Sequence, residues 1–387
     1  YSSKQYFLVM GLQTYSVYVS PDPSSVPWTA LTNVQNVNFS IGRQAQLDPI
    51  RAGTASIVLR YPTGYVSPVA ALVAGSYMKI ENDNGVLTNT IIWVGFVTDV
   101  VVDYGIPFGG GVGTADYATV SGEGGFARFG RMNGNNYVMA ADTIDNQITN
   151  ANTQTGLTLS WTSTTGAPLV AGTTVNSTWG DWVARVCQTT NARIREFGNA
   201  TTIVSPFNNN VSTINFSDTT NDATNQVYNK ITFDSLADNF YTQVTVTPES
   251  FGAATVTKSG ATVPYRGYET NTINASTAQA TDYANYLLGN YGTARFAISS
   301  ITCMAEVQNS FQLDNIGASG LILLSAGTQV AVTFRGTTFQ CLIEGVNMSA
   351  TPNGALYTYY LSGADLNAYL ILGSTTFGTL NNNRLGY

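Results

Sequence analysis

A chain of 387 residues is long enough for two or three domains, each with its own core. It is 44% hydrophobic but only 10% charged, which leaves the surface to Asn, Thr, Ser and Gly and favours strands and turns over long exposed helices. A net charge of -7 excludes a tight phosphate-gripping nucleic-acid binder, whose affinity would come from clustered Lys and Arg, and leaves open a transient passage of DNA through a non-adhesive channel.

Residues 1 to about 130 read almost wholly as strands. The N-terminal Phe7 to Met10 cluster lacks a basic flank and a cleavage site, so no signal peptide is expected. Tyr15 to Val19 and Val34 to Ile41 alternate, and Ala55 to Leu59 forms another short β run after Gly53. Turn signals separate them at Pro21-Asp22-Pro23, at Asn82 to Gly85 and at the glycine run 109–113, which lacks the Gly-Lys-Ser/Thr ending of a phosphate loop and reads as a hairpin tip. The most apolar run, Ile91 to Val102, is broken by Thr98 and Asp99 and is too short for a membrane span. From about 134 the texture becomes Thr- and Asn-rich. Ser177 or Thr178 then caps a helix with Trp179, Trp182, Val183 and Val186 on one face, expected to end near Ile194. Strands resume near 213, and Ser276 opens a second helix through Ala280, Ala284 and Leu287, stopped by Gly289-Asn290.

Two segments about 250 residues apart read as copies. Ala74-Gly75, Gly95 and Ser121-Gly122 recur in order as Ala326-Gly327, Gly345 and Ser362-Gly363. The chain therefore divides into a first β module at 1–133, a small α+β insertion at 134–212, a second β module at 213–376 with a helix near 277–289, and an extended tail at 377–387. Two similar modules per chain present two similar edges, so three chains could close a ring of near-sixfold symmetry.

No catalytic, cofactor-binding or metal-binding residue is expected. The absence of histidine removes Ser-His-Asp and Cys-His systems, and Cys187, Cys303 and Cys341 form neither a C-x-x-C pair nor an even disulfide set. Only carboxylate chemistry remains open, and Asp48, Asp99, Asp103, Asp116, Glu123, Glu249, Glu269, Glu344 and Asp365 are scattered among turns and strand ends, where solvated acids ordinarily sit. The most distinctive stretch is 42–55. Gly42 ends a strand, Arg43 and Asp48 could pair across the turn, and Ala52-Gly53 permits a close backbone approach before the next strand.

That stretch resembles the tail-hub or minor tail proteins of long-tailed bacteriophages, whose Gly-Arg…Leu-Asp…Ala-Gly-Thr-Ala…Leu pattern is matched by Gly42, Arg43, Leu47, Asp48, Ala52, Gly53, Thr54, Ala55 and Leu59, after Trp28. Gly95-Phe96-Val97-Thr98-Asp99, the helix around Ala280 to Leu288 and the ending Phe377-Gly378…Arg384-Leu385-Gly386-Tyr387 are similar to later family elements. The resemblance implies a mainly β fold in which the two modules are tube-like β-barrels, and a homotrimeric hub at the tail tip of the virion. Such a hub adapts a sixfold tail to a threefold tip and lines the DNA passage during ejection. Its implied partners are a sixfold distal tail or tail tube protein, tail-tip fibre or spike proteins and the tape measure protein, with no specific DNA binding and no stable membrane insertion. The rival readings are a receptor- or carbohydrate-binding tail component, with Tyr and Trp stacking on sugars, and a carboxylate-based tail glycosidase.

Overall fold

The structure, a computed structural model of the chain, describes residues 14–21, 28–61, 72–83, 90–105, 115–163, 166–197, 200–205, 212, 215–220, 222, 224–234, 240–292, 297–305, 326–351, 354–363, 369–370 and 384–385. The fold is mainly β. In the first half the strands are β1 (Thr14–Ser20), β2 (Thr29–Ala30), β3 (Val34–Gly42), β4 (Thr54–Tyr61), β5 (Tyr77–Asp83), β6 (Thr90–Asp103) and β7 (Asp116–Glu123). Between the two halves of the repeat lie α1 (Phe126–Arg131), β8 (Tyr137–Met139), β9 (Asp142–Thr143), α2 (Ile144–Thr155), β10 (Thr158–Thr162), β11 (Leu169–Val170), β12 (Thr173–Val175), α3 (Trp179–Thr190), β13 (Arg193–Phe197) and β14 (Ala200–Val204). The second half continues with β15 (Asn215–Ser217), β16 (Asn225–Val227), β17 (Lys230–Asp234), β18 (Gln243–Pro248), β19 (Ala254–Thr257), β20 (Gly267–Thr272), α4 (Thr277–Tyr291), β21 (Ala297–Ala305), β22 (Gln329–Phe334), β23 (Thr337–Thr351) and β24 (Gly354–Gly363). The glycine run and Asp365 lie outside the described residues, as does the C-terminal stretch from 377 apart from Arg384 and Leu385.

Alternation builds the main sheet. Ala55, Ile57 and Leu59 of β4 face inward, as do Ala355, Tyr357, Tyr359 and Leu361 of β24, while the residues between them are more open. Among the described residues fourteen strands from both halves join one sheet over one core, which contains Ile57, Leu59, Ile80 and Val120 beside Ile301, Val332, Ile343 and Tyr359.

The repeat is visible in the pairing. The first half runs β1-β5-β6-β7-β4-β3 and the second β15-β22-β23-β24-β21-β17. Each copy carries a bulge at the same place, between Val97 and Asp99 on β6 and between Ile343 and Gly345 on β23. Beside each bulge a left-handed glycine, Gly75 (φ +91°) or Gly327 (φ +83°), makes the same exchange. The Gly75 N–H donates to the Val97 carbonyl at 2.7 Å and the Val97 N–H to the Ser76 carbonyl at 2.8 Å, while Gly327, Ile343 and Thr328 repeat this at 2.8 and 2.9 Å. Ala74-Gly75 therefore corresponds to Ala326-Gly327 as the sequence suggests, but the other landmarks slip. Val97 is equivalent to Ile343, which matches Gly345 with Asp99 and Gly122 with Leu361. Those glycines have local causes: a Cβ on Gly95 would lie 2.2 Å from the Glu123 carbonyl and on Gly345 2.5 Å from the Arg43 carbonyl. The copies diverge at their outer strands, since β1 runs antiparallel to β5 whereas β15 runs parallel to β22.

Two smaller cores flank the sheet. Trp179, Trp182, Val183 and Val186 of α3 pack with Phe129, Ile144, Ile148 and Ile203. A capping box starts α3, the Thr178 side chain accepting from the Asp181 N–H and the Asp181 carboxylate accepting in return. The helix stops at Thr190, short of the expected Ile194, because Asn191 takes a left-handed conformation (φ 52°) and residues 193–197 form β13. The second cluster packs β18–β20 against α4. Ser276 caps α4 as expected, and the helix runs past Gly289-Asn290 to Tyr291, whose ring is buried. Two further helices, α1 and α2, were not apparent in the sequence.

Candidate functional site

The 42–55 segment joins β3 to β4 and touches all three cores. At its start Gly42 (φ +77°) lies against Gly345 of β23, and a Cβ there would fall 2.3 Å from the Glu344 carbonyl. Leu47 packs on the α4 cluster, and Ile50 and Ala52 on the α3 cluster. Asp48 does not pair with Arg43. Its carboxylate instead accepts from the Ala45 N–H at 2.9 Å and closes its own turn. Arg43 turns inward.

Its partner is Glu344, the extra residue of the β23 bulge, which is wholly buried. Arg43 Nε donates to Glu344 Oε2 at 2.9 Å. Arg193 of β13 donates to both carboxylate oxygens, from Nε at 3.1 Å to Oε2 and from Nη2 to Oε1, and Ser362 of β24 adds its hydroxyl to Oε1. Arg193 is itself tied through Nη1 to the Asn191 carbonyl at 2.9 Å, and the Asn191 amide donates to the Tyr286 hydroxyl of α4 at 2.7 Å. One carboxylate thus binds the sheet to the inserted cluster and, two hydrogen bonds further, to the α4 cluster. Burial alone would push the Glu344 carboxyl up, but Arg193 and Arg43 outweigh it and hold the group at about 2. Burial opposes the charge on Arg193, which Glu344 more than restores, so its pKa is raised. The Nη2 atom of Arg43 is buried without a hydrogen-bond partner among the described residues.

A second buried acid lies nearby. Glu196 of β13 accepts from the Gly53 N–H at 2.5 Å and the Phe126 N–H at 2.7 Å, fixing β13 to the start of β4 and to α1. Burial raises its carboxyl to about 7 even against those two donors. Close approach demands glycine on both sides, since a Cβ on Gly124 would fall 2.3 Å from the Glu196 carboxylate and on Gly53 2.9 Å.

The remaining acids do not converge. Asp99 and Asp103 stand on β6, Asp116 and Glu123 at the two ends of β7, and Glu269 on β20. Glu249 pairs with Arg185 at 2.8 Å. Among the described residues no group of three or more Cys, Asp or Glu side chains is placed to hold a metal ion, and no helix is long and apolar enough to cross a membrane. Cys187, Cys303 and Cys341 are buried free thiols, and burial pushes the thiols of Cys187 and Cys341 up to about 12. Held between two guanidinium groups, Glu344 can neither take up nor release a proton near neutral pH. What the arrangement can do is fix three packed units rigidly to one another. Sequence reasoning placed Arg43 and Glu344 among residues of interest but missed their pairing, because 301 residues separate them.

No protein-family model matches the chain, and no curated protein matches it. Solved structures do. The 43 kDa tail protein of prophage MuSo2 from Shewanella oneidensis matches with a TM-score of 0.62 at 14% identity, over 90% of this chain and 98% of that one. A tail protein from Neisseria meningitidis matches with a TM-score of 0.60 at 11% identity, over 90% and 96%. The prophage tail protein gp18 from Listeria monocytogenes matches with a TM-score of 0.51 at 8% identity, over 89% and 94%.

Proposed function

We propose, from a fold shared with phage tail proteins along nearly its whole length, that this chain is a structural subunit of a phage tail tip. Three copies close a hub whose six similar β modules, two tube-like barrels per chain at 1–133 and 213–376, meet a sixfold tail component. The hub thereby adapts sixfold to threefold symmetry and surrounds the passage taken by DNA. Its neighbours are a distal tail or tube protein above, the tape measure protein within, and fibre or spike proteins below.

The observation that carries this reading is the internal repeat. Matched bulges and matched glycine exchanges at Gly75 and Gly327 support a chain built of two similar modules, which is what a trimer needs to face a hexamer. The role is mechanical, because the fully buried Glu344 carboxylate is neutralised by its two cationic partners, Arg43 and Arg193. With 16 Lys and Arg against 23 Asp and Glu, the lumen is lined by neutral and acidic side chains, so DNA moves through it without the counterion release that would hold phosphates. Native mass spectrometry of the purified full chain tests the reading. A species of three chains is expected, and a monomer at all concentrations or a closed twofold dimer would overturn it.

A further inference from the structure

Among the described residues the repeat is closed at one seam and open at the other. Inside the chain, β3 ends the first half by pairing antiparallel with the C-terminal part of β23, in the register Gly42 with Gly345, Ser40 with Asn347, Asn38 with Ser349 and Val37 with Ala350. By the equivalences set by the bulges, β6 corresponds to β23, so Asp99 to Asp103 correspond to Gly345 to Ser349. Likewise β17 corresponds to β3. Ile231 pairs with Ile301 as Val37 pairs with Ile57, and those two partners face Tyr359 and Val120, which are themselves equivalent. Among the described residues β17 pairs only with β21, and residues 99–103 of β6 pair only with β7. Each is an edge whose counterpart in the other half is covered.

Burial follows the same division. At the closed seam Val37, Phe39, Val346 and Met348 are 2–8% exposed. Their equivalents Ile231, Phe233, Val100 and Val102 pack against the same core yet remain only half-buried, and at the end of that edge Val101 is 49% and Tyr104 65% exposed. Open strand edges carrying apolar residues invite pairing with another chain. Here the chain itself supplies both halves of the missing seam.

We propose that β17 of one copy pairs antiparallel with residues 101–104, the end of β6 and the residue after it, in a second copy, in the register Tyr104 with Ile231, Asp103 with Thr232, Val102 with Phe233 and Val101 with Asp234. This rests on the ring reading and names its contact. The joint is heterologous, one edge meeting a different edge, so it propagates from copy to copy and closes at three when each of the six seams turns about 60°. Charge contributes little, since Asp103 lies diagonal to Lys230 on one side and to Asp234 on the other. Apolar burial of Val100, Val102, Ile231 and Phe233 drives it.

The closed seam also fixes which pairs can be cross-linked. The Arg43 N–H donates to the Glu344 carbonyl at 3.0 Å, which marks that pair as hydrogen-bonded. Alternation along the ladder then makes Asn38 with Ser349 a non-hydrogen-bonded pair, and its equivalent is Thr232 with Asp103. Such pairs have Cα atoms about 4.5 Å apart, within disulfide reach. The experiment is oxidation of the full chain carrying Asp103→Cys and Thr232→Cys, with Val101→Cys and Lys230→Cys as an out-of-register control, read on non-reducing gels beside native masses. The natural cysteines are buried and do not compete. Expected are covalent dimers and trimers with no larger species for the first variant, and none for the control. A native trimer that fails to cross-link, or cross-links equally in the control, would overturn the seam and leave the ring standing. Cross-linked dimers or open chains without a closed trimer would uphold the seam and overturn the ring, and a chain that neither assembles nor cross-links would overturn both.

Discussion

Replacing Glu344 by Gln removes the charge from the buried cluster while keeping its shape. Two guanidinium groups, 1% and 6% exposed at their side chains, would then share one neutral carbonyl, and an uncompensated buried charge destabilises by about 3–5 kcal/mol. An independent route gives a similar size. A carboxyl held at about 2 instead of its ordinary 4.5 prefers its ionised form in the fold by about 3 kcal/mol, since each pH unit is worth about 1.4 kcal/mol. Because the folded value lies below the unfolded one, this stability is fully present above pH 4.5 and is lost as pH falls toward 2. Urea unfolding at pH 7 and at pH 3 reads both effects. The Gln variant should lose about 3–5 kcal/mol at pH 7 and show a smaller further loss on acidification than the natural chain. A variant within about 1 kcal/mol of the natural chain at pH 7 would refute the claim that Glu344 holds the three units together, because it would mean that Arg43 and Arg193 find other partners without penalty.

Three further outcomes follow from the same region. Gly42→Ala should destabilise by more than Gly336→Ala, although both have positive φ, because only at Gly42 does a Cβ overlap backbone. Denaturant midpoints should place Gly336→Ala near 1 kcal/mol and Gly42→Ala at about 2 kcal/mol or more. Glu196, raised to about 7, works oppositely to Glu344: its contribution is complete below pH 4.5 and is lost as pH rises to 7, so Glu196→Gln should flatten the pH profile of unfolding across that window. Thr178→Ala removes the α3 capping box and should lower stability by about 1 kcal/mol, read as a fall in the thermal midpoint.

What was legible in the sequence follows from physics that acts locally. Alternation at Ala55, Ile57 and Leu59 marks a strand whatever it pairs with, and Thr178 followed by Asp181 marks a helix start. Helix α2 is hard to read because its Thr and Asn residues have poor helical propensity, which the burial of Ile144, Ile148 and Ala151 on one face offsets. The 42–55 stretch stood out before its role was clear. Arg43 points to Glu344, Gly53 to Glu196, and Leu47 to the α4 cluster, three contacts that exist only after distant strands come together. Gly75 and Gly327, whose left-handed turns are true equivalents, make the repeat legible in the sequence. It was misaligned through Gly95 and Gly345, whose lack of a side chain answers to different neighbours.

Electron cryomicroscopy of the purified assembly tests most directly whether one chain presents two equivalent modules to a threefold ring. The map should show three chains around an open lumen, six similar β lobes at nearly equal spacing, and β17 of each chain continuous with β6 of the next. An assembly without threefold symmetry, or one whose lumen is ringed by most of the chain's 16 Lys and Arg, would contradict it.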